Sequence, residues 1–254
     1  MAFGLLSLLA TTTFAPAAIT GVPDNIEDWE ALWSKVLTTN VDDAGRIDFA
    51  ALANDHGDLE RVVAFIGAVD PESRPAMFPE SNDRLAYYIN AYNALAMYGV
   101  INKGVPKSLA GFRKLTFFYF QRFKVGGRSI SLYNFENKVI RPIGEERIHF
   151  ALNCMVVGCP RLPQTAFSSA TLDEQLEAAT RTFIGEDRNV QLDLDRKELN
   201  LSSIFDFYTE DFLAKAPSLA AYVDSYRSEN ILADFKVQFI DYDWTVNIRK
   251  GAAE

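Results

Sequence analysis

The feature that most constrains the fold of this chain is a long amphipathic segment at residues 83–102. Its apolar side chains recur at intervals of three and four residues, which puts them on one face of a helix. Asn93 borders that face, and Asn90 lies one turn earlier on the same side. A buried carboxamide without a partner costs about 1–3 kcal/mol, so both amides should bind specific partners, either a neighbouring loop or a ligand. The apolar face consists of Leu85, Tyr88, Ile89, Tyr92, Leu95, Ala96, Gly99 and Val100.

The rest of the chain predicts shorter helices and hairpins in mixed order. Amphipathic spacing predicts the helices, and alternating β-branched and aromatic residues on either side of turn residues predict the hairpins. The order lacks regular strand–helix–strand alternation, which predicts an α+β fold: a single domain over residues 24–250, with several helices packed around a mixed or antiparallel sheet with hairpins. The predicted helices cover residues 24–37, 58–69, 132–141, 172–183 (after a capping box at Thr171 and Glu174) and 202–216, the hairpins centre on Gly126-Gly127 and Asp195-Arg196, and a strand and turn occupy 236–247.

Charge and the amino terminus bear on partners and location. The formal net charge of −9 argues against binding of nucleic acid, which requires a basic face. Residues 1–20 are apolar and small and contain an Ala15-Pro16-Ala17 cleavage pattern, which is typical of a secretory signal, although the positively charged start is missing. The alternative is an N-terminal arm. Export predicts a periplasmic or secreted protein without a membrane span in its mature chain, in a compartment where disulfides persist.

The reactive side chains of the chain are concentrated in the segment RIHFALNCMVVGCP at residues 147–160. It contains both cysteines and one of the two histidines. Read as a strand, the segment places His149 and Cys154 on opposite faces, because side chains alternate. Cys159 follows a short loop and can fold back to either side. We therefore expect Cys159 to be the partner of His149.

Three chemistries fit this segment. In the first, Cys159 is a nucleophile, His149 its base, and Glu136, Asn134 or Asn90 orients the imidazole. In this sequence His149 precedes Cys159, whereas cysteine peptidases, transglutaminases and arylamine acyltransferases have the cysteine first. In the second, zinc binds His149, Cys154 and Cys159 with Glu136 or water, but no C-x₂-C or H-E-x-x-H motif is present, so we predict no metal and no cofactor. In the third, Cys154 and Cys159 form a disulfide.

Seven segments in order resemble the domain-of-unknown-function family 547, which occurs in exported bacterial proteins and in plant proteins. They are GRIDFAAL, YYINAYNALAMYGVI, ISLYNFENKVIRP, RIHFALNCMVVGCPRL, LDEQLEAATRTFI, LSSIFDFYTEDF and FIDYDWTVN, from Gly45 to Asn247. The resemblance implies no activity. It implies recurrent polar positions at Asn90, Asn93, Glu136, His149, Cys154, Cys159-Pro160, Asp206 and Tyr208. Asn137 stands where the family usually has histidine, and Gly158 where serine is commoner.

These observations predict that polar residues from three segments gather at one pocket for a small-molecule or peptide ligand. The first hypothesis is an exported thiol-dependent hydrolase or acyltransferase. The second is a non-catalytic envelope module, for binding or scaffolding, with a Cys154–Cys159 disulfide. The expected catalytic residues are Cys159, His149 and Glu136, and the expected substrate-binding residues are Asn90, Asn93, Cys154, Asn134, Asp206 and Tyr208.

Overall fold

A computed structural model describes residues 19–227 and 235–249 of the chain. The signal-like segment predicted at residues 1–20 lies outside these residues, apart from its last two positions. The α-helices are α1 Ile26–Asn40, α2 Phe49–Asn54, α3 Gly57–Ala68, α4 Ser81–Asn102, α5 Phe112–Leu115, α6 Leu132–Phe135, α7 Leu172–Gly185, α8 Ser203–Phe207, α9 Thr209–Leu213 and α10 Leu219–Asp224; the strands are β1 Phe123–Val125, β2 Arg128–Ile130, β3 Val190–Asp193, β4 Glu198–Ser202 and β5 Lys236–Ile240. The predicted α+β class is confirmed.

Helix α4 is the long predicted helix, and it lies at the centre of the larger apolar core. It begins with a reciprocal cap, in which the Glu80 side chain accepts from the backbone of Asp83 and the Asp83 side chain accepts from the backbone of Glu80. Every residue from Leu85 to Met97 is buried, on both the predicted face and the opposite one. Helices α2, α3 and α6 all pack against it. A helix that is buried all round belongs to the interior of the fold.

Both predicted hairpins form, but the first is shorter than its aromatic pattern suggested. Strands β1 and β2 pair antiparallel around Gly126 and Gly127, whose positive φ values of 54° and 83° suit a type I′ turn. The aromatic run before β1 is helical instead: α5 continues into a wider π-helical turn at Thr116–Phe120. Most side chains in that run are exposed or half-buried, and Phe117 alone is buried. Because these side chains do not form an apolar face that packs on a core, burial does not favour an extended strand here.

The second sheet has three strands in the order β3-β4-β5. Strands β3 and β4 form the predicted antiparallel hairpin, and β5 joins β4 in parallel. A second apolar core packs against this sheet from helices α7 to α10, and its members include Phe150, Phe183 and Phe205. Tyr242, in the chain that follows β5, packs against both cores.

The predicted strand at residues 147–154 is wrong. A 3₁₀ helix covers Glu146–Phe150, and the chain from Leu152 to Cys154 is irregular. Seven consecutive residues from Ile148 to Cys154 are buried, so buried and exposed side chains do not alternate along this segment as they would along a strand with one face in solvent. Ile148 contributes to the larger core and Phe150 to the second one. The segment is therefore enclosed between two cores, and this tertiary setting overrides the extended tendency of its residues.

The capping box predicted at Thr171 and Glu174 is also absent, since the side chain of Thr171 caps no backbone amide. Gln175 instead accepts from the backbone amide of Ser168, at 2.8 Å, just before the 3₁₀ turn Ser169–Thr171 that leads into α7. None of the helices in residues 19–227 and 235–249 combines the length and apolar character that crossing a bilayer requires.

Candidate functional site

A cavity of about 300 Å³ opens where the two apolar cores approach each other. Its walls come from α4, from the aromatic turn after α5, from the turns on either side of Glu136 and His149, and from α8 and the chain after β5. It is lined by Tyr92, Lys114, Phe118, Tyr119, Tyr133, Glu136, Asn137, Arg141, His149, Leu152, Cys154, Pro160, Ile204, Phe207, Tyr208, Tyr242 and Trp244.

Glu136 is a buried carboxylate held by two tyrosine hydroxyls. It begins a π-helical turn, Glu136–Ile140, that continues α6, and such widened turns often occur at functional sites. Tyr92 donates to one carboxylate oxygen at 2.9 Å, and Tyr208 donates to the other. Burial, reinforced by the Glu136 charge, raises the pKa of both tyrosines well above the usual value. Both hydroxyls therefore remain protonated donors.

His149 is oriented by an ion-paired carboxylate. Its Nε2 lies 2.7 Å from an oxygen of Asp211, and Arg141 donates two hydrogen bonds to the same carboxylate. The imidazole stacks on the ring of Tyr208, with 3.7 Å between centroids. The hydrogen bond with His149, together with those from Arg141, holds the pKa of Asp211 well below its usual range. Because the carboxylate can only accept, Nε2 carries a proton directed at Asp211, and Nδ1 is the ring nitrogen available to a ligand.

This partner differs from the residues expected from the sequence. Glu136, Asn134 and Asn90 were the candidates for orienting His149, and none of them does so. Asp211 lies in α9, 62 residues further along the chain. A local signal for it exists only in hindsight: Asp211 follows Tyr208 by three residues, the spacing that places two helical side chains on one side.

The two cysteines are thiols in contact, and the predicted disulfide is not present. Their sulfur atoms lie 2.9 Å apart, whereas a disulfide bond is about 2.05 Å long. The Cys159 sulfur also accepts from the backbone amide of Cys154, at 3.1 Å, and from the hydroxyl of Tyr242, at 3.2 Å. Cys154 lines the cavity, while Cys159 lies behind it and is 2% exposed.

The contact between the two thiols shifts their pKa values in opposite directions. The hydrogen bond to Cys159 and burial raise the pKa of Cys154 well above the usual value. Burial opposes ionisation of Cys159 as well, but the hydrogen bonds from Cys154 and Tyr242 outweigh it and lower the pKa of Cys159. Cys159 is therefore the more acidic thiol of the pair, and its ionisation opposes that of Cys154.

Gly158 allows Tyr242 to reach these sulfurs. A Cβ atom at position 158 would come within 2.9 Å of the Tyr242 ring. The resembled family more often has serine there, and a serine would push the ring away. The glycine in this chain thus accompanies a tyrosine hydroxyl placed directly against the Cys159 thiol.

Four of the expected site residues line the cavity: Glu136, His149, Cys154 and Tyr208. Asn137, at the position where the resembled family has histidine, also lines it and accepts a hydrogen bond from Arg141 at 2.6 Å. Cys159 does not itself line the cavity, but it contacts two residues that do, Cys154 and Tyr242. Neither cysteine sulfur forms a hydrogen bond with His149 in the described residues, so the expected Cys159–His149 pair is not assembled.

The remaining expected residues lie elsewhere, where they do not line this cavity. Asn90 binds the backbone of Phe167 through both ends of its amide, at 2.7 and 2.9 Å. Asn93 donates to the carbonyl of Ala151 and accepts from the amide of Asn153. Both amides therefore hold loops, which was one of their two expected roles. Asn134 is half-buried in the first turn of α6, and Asp206 is exposed on α8.

Lys114 is a lining residue that the sequence did not single out. Its ammonium lies 4.3 Å from the ring centroid of Trp244 and 5.6 Å from that of Phe207. Among the described residues it forms no ion pair with a carboxylate. The only hint in the sequence is that Lys114 precedes an aromatic run. The cavity thus has a cation beside aromatic faces that no carboxylate of the described residues pairs with directly.

A metal-binding set is not assembled in residues 19–227 and 235–249: no three His, Cys, Asp or Glu side chains there are placed to hold an ion. The zinc set considered from the sequence required His149, Cys154 and Cys159 together. His149 instead binds Asp211, and the sulfurs bind each other and Tyr242.

Comparison with known proteins gives one match. No curated protein matches the chain, and no solved structure matches it. A family model does match, over a segment that contains α4, Glu136, His149 and both cysteines, but ends before Tyr208, Asp211 and Tyr242. Residues 77–184 match the model of DUF547, a protein family of unknown function, and the chain resembles that family.

Proposed function

We propose that the chain is an enzyme that hydrolyses or transfers the acyl group of a small ester, thioester or amide in this cavity, with Cys154 as nucleophile. One observation carries the proposal: Cys154 and His149, whose imidazole is oriented by Asp211, line the same cavity. The proposed nucleophile is Cys154 and not Cys159, because Cys154 is the cysteine that a ligand in the cavity can reach.

The second thiol accepts the proton of the first. When the pair has lost one proton, the charge is centred on Cys159 and the remaining proton is on Cys154, with 2.9 Å between the sulfurs. Transfer of that proton to Cys159 leaves a thiolate on Cys154, which is the form that attacks a carbonyl carbon. Cys159 is in this way a base, and the amide of Cys154 and the hydroxyl of Tyr242 hold it in position.

His149 supplies acid–base catalysis to the substrate. Its Nδ1 forms no hydrogen bond to any described residue. His149 enters the cycle as the imidazolium. As the C–S bond forms, the bond to the leaving alkoxide, thiolate or amine breaks, and the leaving group takes a proton from the imidazolium. His149 then removes a proton from water or from an acceptor alcohol, which attacks the Cys154 thioester and releases the acyl product, and the expelled Cys154 thiolate takes its proton back from Cys159. Asp211 stabilises the imidazolium.

Lys114 indicates which substrates fit. Arg141 is occupied by Asp211 and Asn137, whereas Lys114 has only aromatic faces as partners among the described residues. An acyl group with a carboxylate would pair with the ammonium while its apolar part lies on Trp244 and Phe207. We therefore expect a preference for substrates that carry an anionic acyl group.

The test uses chromogenic esters with purified full-length protein. We expect release of 4-nitrophenol from 4-nitrophenyl hemisuccinate to exceed release from 4-nitrophenyl butyrate. Cys154→Ser should reduce the rate at least about a hundredfold, and acid-quenched wild type should carry an acyl group on the Cys154 peptide by mass spectrometry. Asp206→Asn, which removes an exposed charge outside the cavity, is the matched control. Turnover that survives in Cys154→Ser, or the absence of an acylated peptide, would refute the proposal.

Lys114→Gln tests the substrate class separately. It should raise KM for the hemisuccinate about tenfold with little change in kcat, and leave the neutral ester unaffected. Equal effects on the two esters would contradict an anion-binding role.

A second candidate is a non-catalytic binding module, because the aromatic walls and Lys114 suit an anionic ligand without any chemistry. Its test is binding of succinate monoesters, followed by quenching of tryptophan fluorescence. If no ester is turned over, quenching that is unchanged in Cys154→Ser and weakened in Lys114→Gln would favour the binding module.

We also propose that the protein acts in the periplasm or is secreted, on the basis of the signal-like residues 1–20. Mass spectrometry of protein produced with its full sequence should find an N terminus near Ala18 in the exported fraction. Full-length protein confined to the cytoplasm would contradict export.

A further inference from the structure

We propose that Cys154 and Cys159 form a dithiol–disulfide couple that exchanges with low-molecular-weight disulfides entering the cavity. This activity goes beyond acyl transfer. It uses the same two sulfur atoms, but neither His149 nor Lys114 takes part in it. The couple can therefore be tested whether or not the protein turns over an ester.

The fold already holds the two sulfurs close to bonding distance. They lie 2.9 Å apart, so the S–S bond of about 2.05 Å forms after a sulfur displacement of about 0.9 Å. The intervening loop is fixed from inside: Asn153 accepts from the amide of Met155, at 2.6 Å, and donates to the carbonyl of Pro160, at 2.7 Å. The amide of Cys159 also closes the turn on the carbonyl of Val156.

Backbone strain in the same loop shows that the surrounding structure enforces this geometry. Met155 has a φ of 69°, a left-handed conformation that is unfavourable for a residue with an unbranched apolar side chain. Its side chain is fully buried in the larger core. Such strain persists only where neighbouring contacts overdetermine the conformation, and it is common at functional sites. Here those contacts keep the thiols together without a covalent bond.

The environment gives the two sulfurs different roles. Cys154 lines the cavity, so it is the sulfur that an incoming disulfide meets. Cys159 is 2% exposed, and its sulfur accepts from the backbone amide of Cys154 and from the hydroxyl of Tyr242. Two donors aimed at one sulfur stabilise its thiolate. Cys159 is thus placed to attack Cys154 from behind, out of reach of the solvent.

The exchange proceeds through a mixed disulfide. After Cys159 has released its proton to water, Cys154 transfers its own proton to the Cys159 thiolate and attacks one sulfur of a disulfide RSSR, which forms the mixed disulfide Cys154–S–S–R and expels RS⁻. The expelled thiolate takes this proton from Cys159 and leaves as RSH. The Cys159 thiolate then attacks the Cys154 sulfur, closes the Cys154–Cys159 bond and expels the second RS⁻, which takes a proton from water. Two protein thiols are oxidised and one RSSR is reduced to two RSH.

Glutathione disulfide is the probe. Reduced full-length protein is mixed with it, and samples are quenched in acid at intervals. Free thiols are then alkylated, and the mass of the intact protein is measured by mass spectrometry. Wild type should lose both thiols together and carry no stable glutathione. Cys159→Ser should accumulate one glutathione on Cys154, because the second attack is removed. Cys154→Ser should react at least about tenfold more slowly, since Cys159 is buried.

Tyr242→Phe tests the placement of Cys159 more gently, since phenylalanine keeps the ring over Gly158 and removes only the hydroxyl. The mixed disulfide should persist about fivefold longer than in wild type, the effect of one lost hydrogen bond to a thiolate. Trp244, whose ring lies 4.6 Å from that of Tyr242, gives a fluorescence signal for closure of the disulfide. Circular dichroism of each variant checks that it folds.

Three results would overturn the proposal. They are a wild-type protein that keeps both thiols in excess glutathione disulfide, a wild-type protein that stays glutathionylated without closing, and equal reaction rates for the two single-cysteine variants. An inactive enzyme with normal exchange would overturn only the acyl-transfer proposal, and active ester turnover without exchange would overturn only this one.

Discussion

Replacing Asp211 by asparagine tests the structural basis of the candidate site most directly. The change keeps the shape of the side chain and removes the charge that holds Arg141 and His149. The carboxylate accepts bonds of 2.8 and 2.9 Å from Arg141 and one of 2.7 Å from His149. Each hydrogen bond to a charged group contributes about 1.5–3 kcal/mol. Asparagine retains one acceptor oxygen, and the side chain of Asp211 is 27% exposed, which weakens the ion pairs.

We therefore expect Asp211→Asn to lower the free energy of unfolding by about 2 kcal/mol near neutral pH. In a chain of this size that corresponds to a drop of about 4–8 °C in Tm. The hydrogen bond with His149, followed by those from Arg141, depresses the pKa of Asp211 in the folded state. A depressed carboxyl pKa stabilises the fold above the unfolded-state value, near 4, and this stabilisation is lost as pH falls towards the folded-state pKa. The difference between wild type and variant should be full above about pH 5 and shrink below about pH 4.

Urea unfolding followed by tryptophan fluorescence over this pH range measures the effect. The matched control is Asp206→Asn on the preceding helix, which removes the same charge from an exposed side chain and should change stability by less than about 0.5 kcal/mol. If the two variants lose equal stability, or if the effect of Asp211→Asn is unchanged in acid, the Arg141–Asp211–His149 arrangement does not stabilise this protein as argued.

Two further predictions concern the scaffold. Gly126→Ala should destabilise the fold by about 3 kcal/mol, because the new Cβ would overlap the buried carboxylate of Asp70. The control Gly127→Ala, also at positive φ but facing open space, should cost only about 1 kcal/mol. Equal decreases in Tm for the two variants would contradict this prediction. Burial, reinforced by the charge of Glu27, raises the pKa of Glu30 to about 7, so its ionisation opposes folding as pH rises from about 4 to about 7. Glu30→Gln should therefore raise the free energy of unfolding by about 1 kcal/mol near pH 8, an amount reduced by the partial exposure of Glu30, and should have little effect near pH 4. A gain that does not depend on pH would show that the charge of Glu30 is not the cause.

Elements whose apolar residues follow a local period could be predicted from the sequence. Helix α4 begins at Ser81, within two residues of its predicted start, since its apolar spacing persists over the whole length. The turns of both hairpins were found from residues that suit tight turns, such as Gly126-Gly127. The segment at residues 147–154 could not be read in this way. It is enclosed by two cores, so burial has no period there and its β-forming residues misled the prediction.

Four of the expected site residues line one cavity, but the pairings expected between the reactive groups do not form. The sequence drew attention to Glu136, His149 and the two cysteines because they are chemically reactive and close together. Helix α9 supplies the residue that orients His149. The chain after β5 supplies the tyrosine that contacts Cys159, the sulfur behind the cavity wall. Nothing near His149 in the sequence indicates Asp211, and nothing near Cys159 indicates Tyr242.

The sequence by itself determined the α+β class, the long central helix and the concentration of reactive groups around residues 136–160. These follow from local periodicity and from the scarcity of histidine and cysteine. Only the tertiary structure decided that Tyr92 and Tyr208 share one carboxylate across 44 and 72 residues of chain, and that the two thiols touch behind the cavity wall. The reason is physical: a helix or strand period records which face of a segment is buried, but the partner of a buried polar group is set by the packing of distant segments against it.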